Sequence, residues 1–205
     1  MQFINFQERL AAFPVFSLQD VRKLAPDFSR IQIDRWQKKG YLRKIRQGFY
    51  CLTGAPLNDS FLLYTANKIY SPSYISLETA LKYYGLIPEE IFQITSVSTK
   101  KTTNFETPVG NFRYQHLKPT LFWGYRLLDF EKHKILMAEM EKAILDYLYL
   151  NPRLLTSDDF EGMRINADSF HRQINIHKFH SYLDVFDSRS LKRRATLFLN
   201  TLQND

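Results

Sequence analysis

The sequence predicts an α+β fold in two parts, and three observations carry that reading. Over residues 1–57, three short helical patterns precede two short β-like runs set around a Gly-containing turn. From residue 58 onward, strand-like runs are mixed with strongly periodic helices. Positive charge is concentrated at one end: residues 1–57 hold ten Lys and Arg against four Asp and Glu, which is +6 of the chain's net +7.

Phe3 to Ala12 reads as the first helix, with Phe3, Phe6 and Leu10 on one side and Pro14 closing it. Ser17 then has the chemistry of an N-cap, and Asp20 stands at the third position as the acidic analogue of a capping-box partner. The helix it opens runs Leu18 to Leu24, with Leu18, Val21 and Leu24 as its apolar side, and Pro26 ends it. A third helix is expected from about Ser29 to Lys39, with Gly40 where a left-handed C-terminal residue is common. Tyr41 to Ile45, a turn at Gln47-Gly48, and Phe49 to Leu52 read as a hairpin. Three helices and a hairpin in this order make a winged helix-turn-helix over residues 1–57. Thr53 to Asp59, with Gly54, Pro56 and Asn58, reads as the linker to a second domain over residues 58–205.

In that second domain, Ser76 reads as the cap of a helix from Leu77 to Tyr84. Phe92 to Thr99 and Asn111 to Lys118 read as strands, joined by a polar loop, KKTTNFETPVG. Leu121 to Phe130 and Ile135 to Met137 add two more strands to a small sheet. Ala138 to Leu150 is the strongest helical pattern, and Asn151-Pro152 stops it. The remainder reads as helical, ending in a helix capped by Ser188 with Leu191, Ala195, Phe198 and Leu202 inward.

The third helix and the hairpin carry the chemistry. Ile33 and Trp36 share a face, joined by Leu42, and that face packs on the first two helices. Arg30, Gln32, Asp34, Arg35, Gln37, Lys38 and Lys39 are left over. Arg and Gln reach base edges in a major groove, and Lys sits on phosphates. The hairpin adds Arg43, Lys44 and Arg46. The expected DNA-binding set is therefore Arg30, Gln32, Arg35, Lys38, Lys39, Arg43, Lys44 and Arg46. The competing reading is a solvated charged face, and Asp34 speaks for it, since a carboxylate repels phosphate.

Other chemistries find little support. No apolar run reaches the roughly 18 residues of a membrane span, and the first ten residues lack a basic-then-apolar layout, so a cytoplasmic setting is expected. Cys51 is the single cysteine, expected as a small buried apolar residue. Seven glycines include no phosphate-cradling or nucleophile-elbow motif. His171, His177 and His180 lack the companions of a metal site, and no metal or cofactor is expected. Glu139, Glu141 and Lys142 faintly echo the E-x-K of nucleases, but the two acids also suit a helix start, and no catalytic role is assigned. Phe112, Tyr114, Phe122, Trp123 and Tyr125 can stack bases or fill a core, the second being expected. Arg189, Lys192, Arg193 and Arg194 read equally as phosphate contacts or as a solvated face.

The blocks FSLQDVRKL, RIQIDRWQKKGYLRKIRQGFYCL, YISLETALKYYGLIPE, TSVSTKK, GNFRYQHLKPTLFWGY and MAEMEKAILDYLYL, from about Phe16 to Leu150, resemble in order the AbiE-type antitoxins of bacterial abortive-infection systems. The resemblance implies a winged-helix DNA-binding domain followed by an antitoxin domain. It implies a non-enzymatic repressor that binds inverted repeats in its own promoter. Its partner gene would encode a nucleotidyltransferase toxin, counteracted without a stable direct complex. Under it, Arg30, Arg35, Lys38 and Lys39 are recognition-helix candidates, and Arg43, Lys44 and Arg46 are wing candidates. Residues 74–84 and 138–150 become framework of the antitoxin domain. A regulator without a toxin partner, and a nuclease-like DNA-processing protein, are the alternatives.

Overall fold

A computed structural model describes residues 2–10 and 12–203. They form an α+β protein, as expected. The first part holds helices α1 (Phe3–Leu10), α2 (Leu18–Leu24) and α3 (Arg30–Lys38), with strands β1 (Phe16–Ser17), β2 (Leu42–Arg46) and β3 (Phe49–Leu52) in the order β1-β3-β2. The expected extension of α1 crosses residue 11, which lies outside the described residues, and Ala12 is in a turn. The two-residue strand β1 is new: Phe16 pairs with Tyr50 and Ser17 with Phe49, antiparallel, so the segment before α2 completes a three-stranded sheet.

Local chemistry accounts for the helix ends. The Ser17 hydroxyl accepts from the Asp20 amide, and the Asp20 carboxylate accepts from the Ser17 amide at 2.8 Å, a reciprocal capping box. Gly40, at φ +71°, lets the chain turn out of α3 into β2 where a Cβ would be strained. Aromatic rings fill the small core beneath: Trp36 meets Phe6 at 4.5 Å, Phe3 at 5.3 Å and Phe28 at 5.6 Å.

The second part is built on a six-stranded mixed sheet. Its strands are β4 (Ser73–Ile75), β5 (Gln93–Ser98), β6 (Thr103–Thr107), β7 (Gly110–His116), β8 (Tyr125–Phe130) and β9 (His133–Ala138), in the order β6-β7-β5-β4-β9-β8. β5–β7 and β4–β9 are parallel, and the other pairs are antiparallel. The polar stretch expected as a loop between two strands contains β6, whose register sets Phe105 against Phe112. Thr53 to Asp59 gives way to an unpredicted helix, α4 (Asp59–Ile69), capped by the Asn58 side chain.

Period-two alternation and the register sort the sheet's side chains. Ile75, Phe105, Phe112, Tyr114 and Met137 share the face covered by α4, where the Tyr114 hydroxyl donates to the Ala66 carbonyl at 2.8 Å. Tyr74, Thr95, Val97 and Ala138 face the other way, toward helices α5 (Leu77–Tyr83) and α6 (Met140–Leu150). Asn67, buried on α4, accepts from the Leu136 amide at 2.7 Å and donates to the Ser73 carbonyl, so one amide group spans β9 and β4. Four further helices follow: α7 (Ser157–Glu161), α8 (Ala167–Gln173), α9 (Ile176–Val185) and α10 (Arg189–Gln203). In α10, Leu191, Ala195, Phe198 and Leu202 are buried as expected. Among the described residues no helix is long and apolar enough to cross a membrane.

Beneath α6 lies a buried polar cluster. Lys142 and Asp146, both 0% exposed, form an i,i+4 ion pair. Lys142 also donates to the Tyr74 hydroxyl at 2.7 Å, and Tyr74 and Ser76 each donate to Asp146 at 2.9 Å. The rings of Phe186, Trp123 and Tyr74 stand 5.0–5.4 Å from the Lys142 ammonium. Ser76 therefore does not cap α5 with its side chain, because its hydroxyl is committed to Asp146. Desolvation pushes both members toward neutrality, raising the Asp146 carboxyl and lowering the Lys142 ammonium, and each partner's charge opposes the other's shift.

The two parts are joined by specific contacts. Lys68 of α4 reaches Asp20 at 3.1 Å, and the His133 ring bonds the Ala12 carbonyl. Burial disfavours the Asp20 charge, but the Ser17 amide and hydroxyl and the Lys68 ammonium outweigh it and hold the carboxyl below the usual carboxylate range.

Two outcomes follow for stability. Asp146→Ala strands a buried ammonium and destabilises by about 3–5 kcal/mol in urea unfolding, whereas the double change Lys142→Met with Asp146→Leu costs clearly less. Equal losses would mean that the ion pair matters only as volume. A depressed Asp20 stabilises the fold fully above its unfolded pKa of about 3.9, and that stabilisation is lost as pH falls through the lower folded value. Asp20→Asn should therefore be less stable at neutral pH and show a shallower acid-side decline. Parallel urea-midpoint curves for the two proteins between pH 5 and pH 2 would contradict this.

Candidate nucleic-acid interface

α3 advances about 100° per residue, so buried Ile33 and Trp36 define its inward side. The opposite side presents Ile31, Asp34, Arg35 and Lys38, all exposed, with Arg30, Gln32, Gln37 and Lys39 on the flanks. Ser29 caps the helix by accepting from the Ile31 amide at 3.3 Å, and the Tyr41 amide donates back to the Trp36 carbonyl at 2.9 Å. The outward stripe is thus held at both ends and from beneath.

The hairpin lies between two cores and distributes its side chains accordingly. Leu42 and Tyr50 join the aromatic core of the first part, while Cys51 and Ile45 join the core of the second. Burial pushes the Cys51 thiol up to about 11, against the opposing effect of the Arg43 charge, so it stays protonated at neutral pH. Lys44 is exposed, and Arg43, paired with Cys51 across the hairpin, is half-buried.

Arg46 departs from the expected wing set. Strict alternation places it on the side of Lys44, but a β-bulge between Lys44 and Arg46 brings it opposite Phe49, on the side of the second core. Its guanidinium donates to the Ile69 carbonyl at 3.0 Å and stacks 4.0 Å from the Phe105 ring centroid. Arg46 is a fastener between hairpin and sheet, and it leaves the candidate DNA-contact set.

Of the expected contacts, Arg30, Arg35, Lys38, Lys39 and Lys44 are exposed, and Gln32 and Arg43 are half-buried. Among the described residues none of these six cations makes an ion pair. Of the four acids in this part, Asp20 is neutralised by Lys68, and Asp34 alone interrupts the outward stripe. Ile31, 61% exposed in the centre of that stripe, was not expected in the site. An aliphatic side chain there suits a thymine methyl group, and the angular spacing from Ile33 and Trp36 is the signal that places it.

The other constellations resolve into packing. Glu139 accepts from Tyr182 and Lys178, Glu141 from the Asn175 amide at 3.0 Å, and Lys142 turns inward to Asp146, so the E-x-K echo diverges in space. Phe112 and Tyr114 are fully buried, and Phe122, Trp123 and Tyr125 are half-buried. Arg194 is buried and donates to the Leu148 and Asn151 carbonyls at the end of α6, so it belongs to neither reading of the basic run on α10. His177 and His180 are exposed on α9. A scan against protein-family models and a search of curated proteins find no match to this chain.

Replacing Arg46 tests its reassignment. Arg46→Ala should lower stability by about 1–2 kcal/mol through the lost hydrogen bond and stacking, read as a shift in the urea midpoint. Unchanged stability would return this residue to the solvent-facing set.

Proposed function

We propose that this protein is a sequence-specific DNA-binding repressor that also serves as the antitoxin of a type IV toxin–antitoxin pair. The observation that carries the DNA-binding part is the outward stripe of α3. Cations that make no ion pair among the described residues flank and occupy a helix whose opposite face is locked into an aromatic core. On this reading the first part is a winged helix-turn-helix, α3 enters a major groove, and Lys44 touches backbone beside it. Arg35 and Gln32 are the base readers, Ile31 meets a thymine methyl, and Arg30, Lys38 and Lys39 neutralise phosphates. On the same reading exposed Asp34 accepts from a cytosine amino group, which turns an unfavourable charge into a specific contact.

The antitoxin part rests on the ordered resemblance of residues 16–150 to AbiE-type antitoxins. It supplies the expected setting: inverted repeats in the protein's own promoter, occupied by two copies, and an adjacent gene for a nucleotidyltransferase toxin that is counteracted without a stable direct complex. The features of α3 and the hairpin suit equally a regulator with no toxin partner. The neighbouring gene separates the two readings, since a nucleotidyltransferase-like open reading frame is required by the first alone.

Gel shifts over the upstream intergenic fragment and over random DNA test the core of this reading. Arg35→Ala should weaken promoter binding by roughly 1–3 kcal/mol and erode discrimination against random DNA. Equal affinities before and after the change would remove Arg35 from base recognition. No binding of the unaltered protein to either DNA at low ionic strength would end the proposal.

A further inference from the structure

Beside the hairpin, the loop between β5 and β6 holds two lysines in a fixed frame. The Lys100 amide donates to the Ser98 hydroxyl at 3.1 Å, and the Lys100 carbonyl bonds the His116 ring at 3.1 Å. The Lys101 carbonyl accepts from the Tyr70 hydroxyl at 2.8 Å, and the Thr102 hydroxyl accepts from the His116 amide at 3.0 Å. The loop's backbone is thus bound on the protein side. Lys100 and Lys101 are exposed, and among the described residues neither pairs with a carboxylate.

A continuous stack ties this loop to the hairpin. The Arg46 guanidinium lies 4.0 Å from the Phe105 ring, Phe105 meets Tyr70 edge-on at 5.6 Å, and the Lys100 ammonium stands 5.3 Å from the Tyr70 ring. Phe105 and Tyr114, both touching Tyr70, lie on the α4 face of the sheet, so hairpin and loop approach the same side. Following that stack, the Lys100 ammonium is at most about 15 Å from the Arg46 guanidinium, so the loop lies beside the hairpin. Lys44, two residues before Arg46 and on the other face of the hairpin, is exposed and makes no ion pair among the described residues.

We propose that the second part of the chain binds duplex DNA directly, through backbone phosphates contacted by Lys100 and Lys101 alongside the hairpin. This rests on the reading of α3 as a DNA-binding element and extends its footprint onto the mixed sheet. The stack holds the loop against the hairpin at Arg46, so the contact forms without reordering a loop, which favours affinity. Because phosphates carry no base identity, these lysines strengthen binding to every duplex alike.

The full-length protein is compared with the Lys100→Ala/Lys101→Ala double variant by fluorescence anisotropy, on promoter duplex and on a scrambled duplex, from 50 to 200 mM salt. Each lost phosphate contact lowers the slope of log affinity against log salt by about 0.9, so the affinity lost over this range should shrink by roughly tenfold if both contacts exist. The ratio of promoter to scrambled affinity should stay the same. Both side chains are exposed, and an unchanged urea midpoint verifies an intact fold. An unaltered slope on both duplexes, with Arg35→Ala still losing promoter affinity, overturns the inference and leaves the DNA-binding reading standing. A loss confined to the promoter duplex also overturns it, since phosphate contacts are blind to sequence. Failure of the unaltered protein to bind either duplex at 50 mM salt removes both.

Discussion

Arg46 is the contact on which the arrangement of the molecule depends. A guanidinium is planar and weakly hydrated, so it can stack on a ring while still donating in its own plane. Arg46 does both, lying over Phe105 and donating to the Ile69 carbonyl. These are the outer strand of the large sheet and the end of α4, so one side chain joins the hairpin to two elements of the second part. The hairpin in turn holds α3, because the Tyr41 amide returns to Trp36 and Leu42 enters the same core. The Lys68–Asp20 pair and the His133–Ala12 bond add two further attachments. The outward stripe of α3 therefore has a defined position relative to the mixed sheet.

The charges are sorted to match. In the second part, cations and acids neutralise one another locally: Lys82 with Glu90, Lys134 with Asp129, Lys178 with Glu139, Lys192 with Asp184. Exposed pairs of this kind add little stability, but they leave little net field. In the first part the acids are few, and the one nearest the second part is consumed by the capping box and Lys68. Among the described residues the six cations on α3 and the hairpin then form no ion pair, and their summed potential, interrupted by Asp34 alone on the outward stripe, reaches beyond the surface over roughly 8–10 Å at ordinary ionic strength.

Much of the first part was legible because its signals are local. A cap with its reciprocal partner, prolines after helices and glycines at turns are read within four or five residues, and α2 and the hairpin follow them closely. What failed was set by distant contacts. α4 buries Phe61, Tyr64, Thr65, Ala66, Asn67 and Ile69 around most of its circumference, because it lies between the sheet and the first part, and no single apolar stripe marks it. β6 alternates polar residues around the half-buried Phe105, so its solvated face resembles a loop. Ser76 stands at the N-cap position of α5 as read, but its hydroxyl is taken by the Asp146 carboxylate seventy residues away, which no local signal reveals. Arg46 was misassigned by a bulge, which inverts the side-chain alternation after Lys44. The exposed cations of α3 follow from helical periodicity alone, whereas Ile31 is apolar and local sequence gives an apolar residue no outward signal until Ile33 and Trp36 fix the buried side.

The buried Lys142–Asp146 pair has a different logic. Taking two charges out of water costs several kcal/mol per ion, and a well-packed apolar pair is often as stable. What the ionic pair adds is direction. Asp146 accepts from Tyr74 and Ser76 on the strand side, while Lys142 lies among Trp123 and Phe186, which come from a loop and the end of α9. Only one docking of α6 satisfies all of these at once, since a shifted helix would leave a charge or a hydroxyl unpaired in the core. The fit is close enough to constrain the backbone opposite: a Cβ at Gly124, where φ is +73°, would come within 3.0 Å of the Lys142 side chain. Fixing α6 in this way fixes the strands it covers, including β4 and, through β4, its neighbour β5. The loop that displays Lys100 and Lys101 begins where β5 ends, so the precision of a charge buried in the core carries through to charges on the surface.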